Sequence, residues 1–177
     1  MSLLLLLCSQ AWGQQLDIDH VTDTFCSPSD IAEAGSANVQ GGGPCFLELT
    51  DGSAGVVGAG WFDQTMPLGP NTSFQTFFHA DIYGADGTSG RTGLGFMVHN
   101  DSGGITAVGN GGSEKGVGGM SPSLAVFFDT YNNPSDELQV LLDGNTSWVA
   151  DANVPFEMRE DPAASSSGST TATAPKN

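Results

Sequence analysis

Ser123-Leu124-Ala125-Val126-Phe127-Phe128-Asp129-Thr130-Tyr131-Asn132-Asn133, with Asp136 three residues further on, decides how this chain is read. It begins as an apolar run, the pattern of a buried β-strand. It ends in four oxygen donors within eight residues: Asp129, the Tyr131 carbonyl, the Asn133 amide oxygen and Asp136. Hard divalent cations want that chemistry, because Ca²⁺ takes roughly 6–8 oxygen ligands. A strand running into such a loop holds a metal at a sheet edge. The plainer alternative is an Asn/Pro/Ser-rich turn after a strand.

Around this stretch the chain reads as β-structure throughout. The 177 residues suit one domain of ordinary size, and 25 glycines among short apolar runs favour strands and tight turns. Residues 14–44 read as polar and irregular, with one short strand near Asp17–His20 and a break at Gly41-Gly42-Gly43-Pro44. Cys45–Thr50 alternates as a strand. Gly55–Trp61 reads as a glycine-rich strand suited to a bulge or a close backbone approach. Phe74, Thr76, Phe78, Ala80 and Ile82 fall on one strand face. Leu94, Phe96 and Val98 repeat the pattern, as do Leu124, Val126 and Phe128, and then Leu138, Val140 and Leu142. Nothing has a helical period. A sandwich or barrel is expected.

The net charge of −16, with only four Lys and Arg, excludes a nucleic-acid surface. It suits cation binding and solubility outside the cell. Leu3–Leu7 followed by Ala11 and Gly13 reads as a short secretory signal over residues 1–13, or as a disordered apolar terminus. The block is too short to span a membrane. Without Cys8, which lies in the signal, Cys26 and Cys45 form an even pair suited to a disulfide after export. That bridge closes a loop of about 20 residues, worth about 3 kcal/mol in the chain-entropy model. Two buried thiols are the alternative. Asn71, Asn100 and Asn145 head glycosylation sequons near expected turns. From Asp161 to Asn177 the Ser/Thr/Ala-rich tail reads as disordered, which leaves a domain over residues 14–160.

The order of motifs adds a resemblance. Cys45-Phe46-Leu47-Glu48-Leu49-Thr50 comes first, then Gly58-Ala59-Gly60-Trp61-Phe62 and Ser73–Ile82. Next are Gly93-Leu94-Gly95-Phe96-Met97-Val98-His99-Asn100-Asp101, Gly111–Met120 and the Phe128-Asp129-Thr130-Tyr131-Asn132-Asn133 stretch. From about Cys45 to Asp143 this resembles the L-type (legume-type, concanavalin A-like) lectin domain. The resemblance implies an all-β jelly-roll sandwich that binds carbohydrate through Ca²⁺. Complete domains of that family are longer, so trimmed loops or a sandwich incomplete on its C-terminal side is expected.

The resemblance also implies roles. The Ca²⁺ ligands match Asp129, Tyr131, Asn133 and Asp136. In legume members a Glu two residues before the first Asp, with a later His, holds a transition metal. Phe127 and Gln139 stand there, so Zn²⁺ or Mn²⁺ loses its usual ligands. The family's sugar site matches Asn133 and Tyr131, with a backbone donor at Ser113 beside Gly112. Its acidic residue falls at Thr92, while Asp86 in Ala85-Asp86-Gly87 replaces it only if that loop folds back.

Enzyme motifs are missing. There is no G-x-S-x-G elbow and no phosphate loop. Val57-Gly58-Ala59-Gly60 lacks a following helix. His20, His79 and His99 have no ligand spacing. Asp129, Asp136 and Glu137 lie across a loop, unlike the strand-borne E-x-D carboxylates of glycosidases on this sandwich. The expectation is a secreted, non-enzymatic, Ca²⁺-dependent module for glycans or glycoproteins. A structural or adhesion domain without sugar binding is the alternative, and a glycoside hydrolase comes third.

Overall fold

A computed structural model describes residues 25–26, 30–41, 45–69, 74, 76, 78–82, 93–131, 136–156 and 158. Among the described residues eight strands run in chain order: β1 (Ile31–Gly35), β2 (Asn38–Gln40), β3 (Phe46–Glu48), β4 (Gly58–Phe62), β5 (Gly93–His99), β6 (Ser123–Asp129), β7 (Glu137–Leu142) and β8 (Ala150–Asn153). All named pairings are antiparallel: β1 with β4, β2 with β3, and a four-stranded sheet ordered β5-β6-β7-β8. Among the described residues there is no α-helix, only 3-10 turns at Gly104–Thr106 and Gly112–Glu114. The chain is all-β.

The strands form where the sequence alternates, but the more buried face of the sheet is not the one holding Leu124, Val126, Phe128, Leu138, Val140 and Leu142; Leu124 and Leu142 are each 40% exposed. Ala125, Phe127 and Asp129 of β6 are buried, with Gln139 and Leu141 beside them on β7. Val117, Ala125, Phe127 and Leu141 form the core, with Met97 against it. The opposite face holds Phe96 and Phe128, and the rings of Phe74 and Phe78 lie about 6 Å from Phe96, at 6.1 and 6.2 Å.

Some expectations change. Residues 14–44 are not irregular throughout, because β1 and β2 fall within them. Cys45–Thr50 contracts to β3, and Gly55–Trp61 shifts to β4. The described residues between 74 and 82 form no strand. Asp17–His20, the signal at 1–13 and the tail from 161 lie outside the described residues.

The glycine-rich strand does make a close approach. A Cβ on Gly58 would sit 1.8 Å from the Leu49 carbonyl oxygen, so β4 meets the segment after β3 backbone to backbone. Trp61 of β4 donates its indole N–H to the Ala107 carbonyl at 2.8 Å and meets the His99 ring edge-on at 4.3 Å. These contacts tie β4 to the end of β5 and the loop after it.

Cys26 and Cys45 are bridged, with Cα atoms 5.0 Å apart, inside the range that a disulfide requires. The bond tethers the N-terminal segment to the start of β3. Asn100 and Asn145 are exposed at turns after β5 and β7, and Asn71 lies outside the described residues. No helix among the described residues is long and apolar enough to cross a membrane.

Candidate functional site

β6 ends at Asp129 and β7 starts at Glu137, and the ladder sets those two residues opposite each other. The chain therefore reverses between Asp129 and Asp136. Both carboxylates are buried, at 6% and 5% exposure. A buried carboxylate needs compensation, because an unpaired buried charge is very costly.

Asp129 is held from two sides. Its Oδ1 accepts the Tyr131 backbone N–H at 3.0 Å, and its Oδ2 lies 2.9 Å from the Lys115 ammonium. Asp136 accepts the Met158 N–H through Oδ2, and its carbonyl accepts the Val154 N–H at 2.8 Å. Between these anchored ends the Tyr131 side of the loop reaches solvent, with Tyr131 42% exposed. An exposed ring offers a flat apolar face with a polar tip. Asn133 lies outside the described residues, as do Asp86 and Thr92.

Gly112 and Ser113 lie in the 3-10 turn before Lys115. Lys115 closes that turn, its N–H donating to the Gly112 carbonyl at 2.9 Å. It does so in the left-handed region, at φ 59°. For a side chain with a Cβ this costs on the order of 1–2 kcal/mol. The backbone after it is pinned by the Gly116 N–H to Asn110 carbonyl bond at 2.9 Å and the Asn110–Gly118 bridge. The Lys115 side chain then reaches Asp129. One ion pair thus joins the glycine loop to the start of the candidate metal loop.

Lys115 is the residue that sequence reasoning missed. Its ammonium touches Asp129 Oδ2 and Gln139 Oε1 and lies 5.5 Å from the ring centroids of both Phe127 and Trp148. Gln139 Nε2 donates onward to Glu137 at 3.0 Å. A polar chain therefore runs from Glu137 through Gln139 and Lys115 to Asp129 and the Tyr131 N–H. No buried side-chain nitrogen or oxygen among the described residues lacks a partner. A sequence signal existed: Lys115 is one of only four cations in the chain and stands alone among glycines.

Among the described residues, no group of three or more His, Cys, Asp and Glu side chains is gathered for a metal. His99 accepts the Asp101 N–H at 3.2 Å, and His79 pairs with Asp81 at 3.0 Å, both away from this loop. Asp101 itself accepts N–H groups from Gly103 and Ser121, and these bonds hold its carboxyl below the ordinary value. The candidate Ca²⁺ set rests on two carboxylates, a carbonyl and an amide. A transition metal does not fit, because Phe127 gives a ring and Gln139 gives an oxygen already used by Lys115.

Asp129 and Glu137 face each other on neighbouring strands, Asp129 paired with the Lys115 ammonium and Glu137 accepting from Gln139.

No protein-family model and no curated protein sequence matches the chain. The class that the fold defines is an all-β, antiparallel domain stapled by one disulfide among the described residues. Its candidate site is a strand-end loop joined to a glycine turn.

Proposed function

We propose that this chain is a secreted, non-enzymatic, Ca²⁺-dependent carbohydrate-binding domain built on an L-type lectin-like jelly roll. The observation that carries this reading is the loop between β6 and β7. Buried Asp129 and Asp136 anchor its two ends, Tyr131 is exposed between them, and Lys115 ties it to the Gly112–Ser113 turn. Asp129, Asp136, the Tyr131 carbonyl and Asn133 would hold the calcium, which supplies a fixed positive charge that orients the loop's polar groups. Tyr131 presents its ring to the apolar side of a pyranose, and Asn133 presents its amide to a sugar hydroxyl. Ser113 gives a backbone donor beside Gly112, and Asp86 or Thr92 completes the site. Glycans or glycoproteins are the partners.

The second reading is a structural or adhesion domain of the same fold without sugar binding. One observation favours it: Asp129 already has a cation in Lys115, so the carboxylate is compensated without a metal.

Glycan-panel binding by Asn133→Ala and Asp86→Ala separates the two. Asn133→Ala is expected to lose binding with its melting temperature within about 2 °C of wild type, since an amide in a loop adds little to the sandwich core. A large loss in Asp86→Ala assigns Asp86 the acidic role; binding unchanged in Asp86→Ala means that the site works with the Thr92 hydroxyl as acceptor or lies elsewhere. Full binding by Asn133→Ala contradicts the proposed site.

A further inference from the structure

We infer that the Lys115 ammonium is a built-in cation that fills the transition-metal place of this site, leaving a single exchangeable divalent ion. The inference rests on the lectin-like reading for the meaning of positions 127, 129 and 139. The geometry itself comes from the side chains. Phe127 and Gln139 stand at the two positions where the resemblance implies a metal-binding Glu and His. The ammonium meets both of them and Asp129 at once.

Three further features suit a resident charge. The Lys115 and Asp129 side chains are only 10% and 9% exposed, so the pair is shielded from solvent. Two aromatic faces flank the ammonium, and a ring face attracts a cation through its quadrupole. The backbone of Lys115 is held in a left-handed conformation that glycine would adopt more easily, so the surrounding contacts over-determine it.

Phe127, Gln139 and Lys115 are therefore read as one set. A Glu at 127 and a His at 139 would serve a metal, whereas a ring and an amide oxygen serve an ammonium. The ring at Phe127 fits because glycines face it from β5: a Cβ on Gly95 would lie 3.2 Å from the Phe127 ring. Asp129 then uses Oδ2 for the internal cation, and its other oxygen faces the Tyr131 end of the loop.

The test is thermal melting of the full chain in chelator and then in about millimolar Mn²⁺ or Ca²⁺, for wild type, Lys115→Met and the double variant Lys115→Met/Asp129→Asn. In chelator, Lys115→Met is expected to melt about 10 °C below wild type, because a buried carboxylate is left unpaired. Mn²⁺ is expected to move wild type, Lys115→Met and the double variant by about 1 °C or less, because a ring and an amide oxygen do not replace the metal's Glu and His. If Lys115→Met does not fold in chelator, the double variant decides. Folding near wild type supports the inference, since charge and partner leave together, and failure to fold overturns it. A Mn²⁺ stabilisation of several degrees in wild type overturns it, since the place would then be open to a metal, as does a Lys115→Met melting point within about 2 °C of wild type. Glycan binding is read separately. A wild type that binds no sugar, with the Lys115→Met pattern intact, removes the lectin reading alone. Calcium-dependent sugar binding with a flat Lys115→Met response removes this inference alone.

Discussion

Asp129→Ala is expected to abolish glycan binding and to destabilise the fold by about 3–5 kcal/mol, the cost of leaving one member of a buried ion pair without its partner. The variant strands the Lys115 ammonium with Gln139 Oε1 and two aromatic faces as its remaining neighbours. It also removes the acceptor of the Tyr131 N–H, so the exposed end of the loop loses its anchor to β6. In a chain of this size the stability loss corresponds to a melting temperature lower by about 10 °C. Asp129→Asn separates the effects, because it keeps an acceptor for Tyr131 while giving up the charge. Urea titration with a tryptophan readout measures the stability terms. An Asp129→Ala variant as stable as wild type would show that the Lys115–Asp129 pair carries nothing.

The second large effect lies at the start of β5. Gly93 pairs with Asp129 across the ladder and has φ 137°, a region closed to side chains. A Cβ there would stand 1.9 Å from the Phe128 carbonyl oxygen, a backbone atom that cannot swing away. Gly93→Ala is therefore expected to cost about 4 kcal/mol or more and to loosen the β5–β6 pairing beneath the site. Gly95→Ala serves as the comparison. Its Cβ is tight only against the Phe127 ring, at 3.2 Å, with the Val126 carbonyl oxygen at an ordinary 3.8 Å, so a small ring shift relieves it and a cost of about 1 kcal/mol is expected. Equal costs at the two glycines would mean that the ladder register at Gly93 is wrong.

The sheet around the site was legible where alternation was strong. Leu94–Val98, Leu124–Phe128 and Leu138–Leu142 each became a strand of the four-stranded sheet because apolar side chains recur at every second position. β8 was not legible, because Ala150-Asp151-Ala152-Asn153 is exposed at every position and carries no apolar signal. β1 and β2 were missed for a related reason. Ile31-Ala32-Glu33-Ala34-Gly35 relies on small residues, and its partner β4 is itself rich in glycine. The pairing of those two depends on close backbone contact, which a hydrophobicity pattern does not report.

At the candidate site, the compensation of the buried carboxylates was not legible in the sequence. Asp129 and Asp136 are recognisable from the strand-to-loop pattern, and the structure buries both. Phe127 and Gln139 read in the sequence only as lost ligands. In the fold they form the floor and wall around an ammonium supplied from 24 residues before Gln139. A contact of that separation depends on how the glycine turn folds onto the sheet. Spacing along the chain does not encode it.

The most direct measurement is binding of the wild-type protein to a broad glycan panel at about millimolar Ca²⁺ and again after chelation. The account predicts saturable binding to one group of related sugars in calcium, lost in chelator and restored when calcium returns. No binding to any glycan in calcium, by a protein that melts cooperatively, would contradict it, as would binding that chelation leaves untouched.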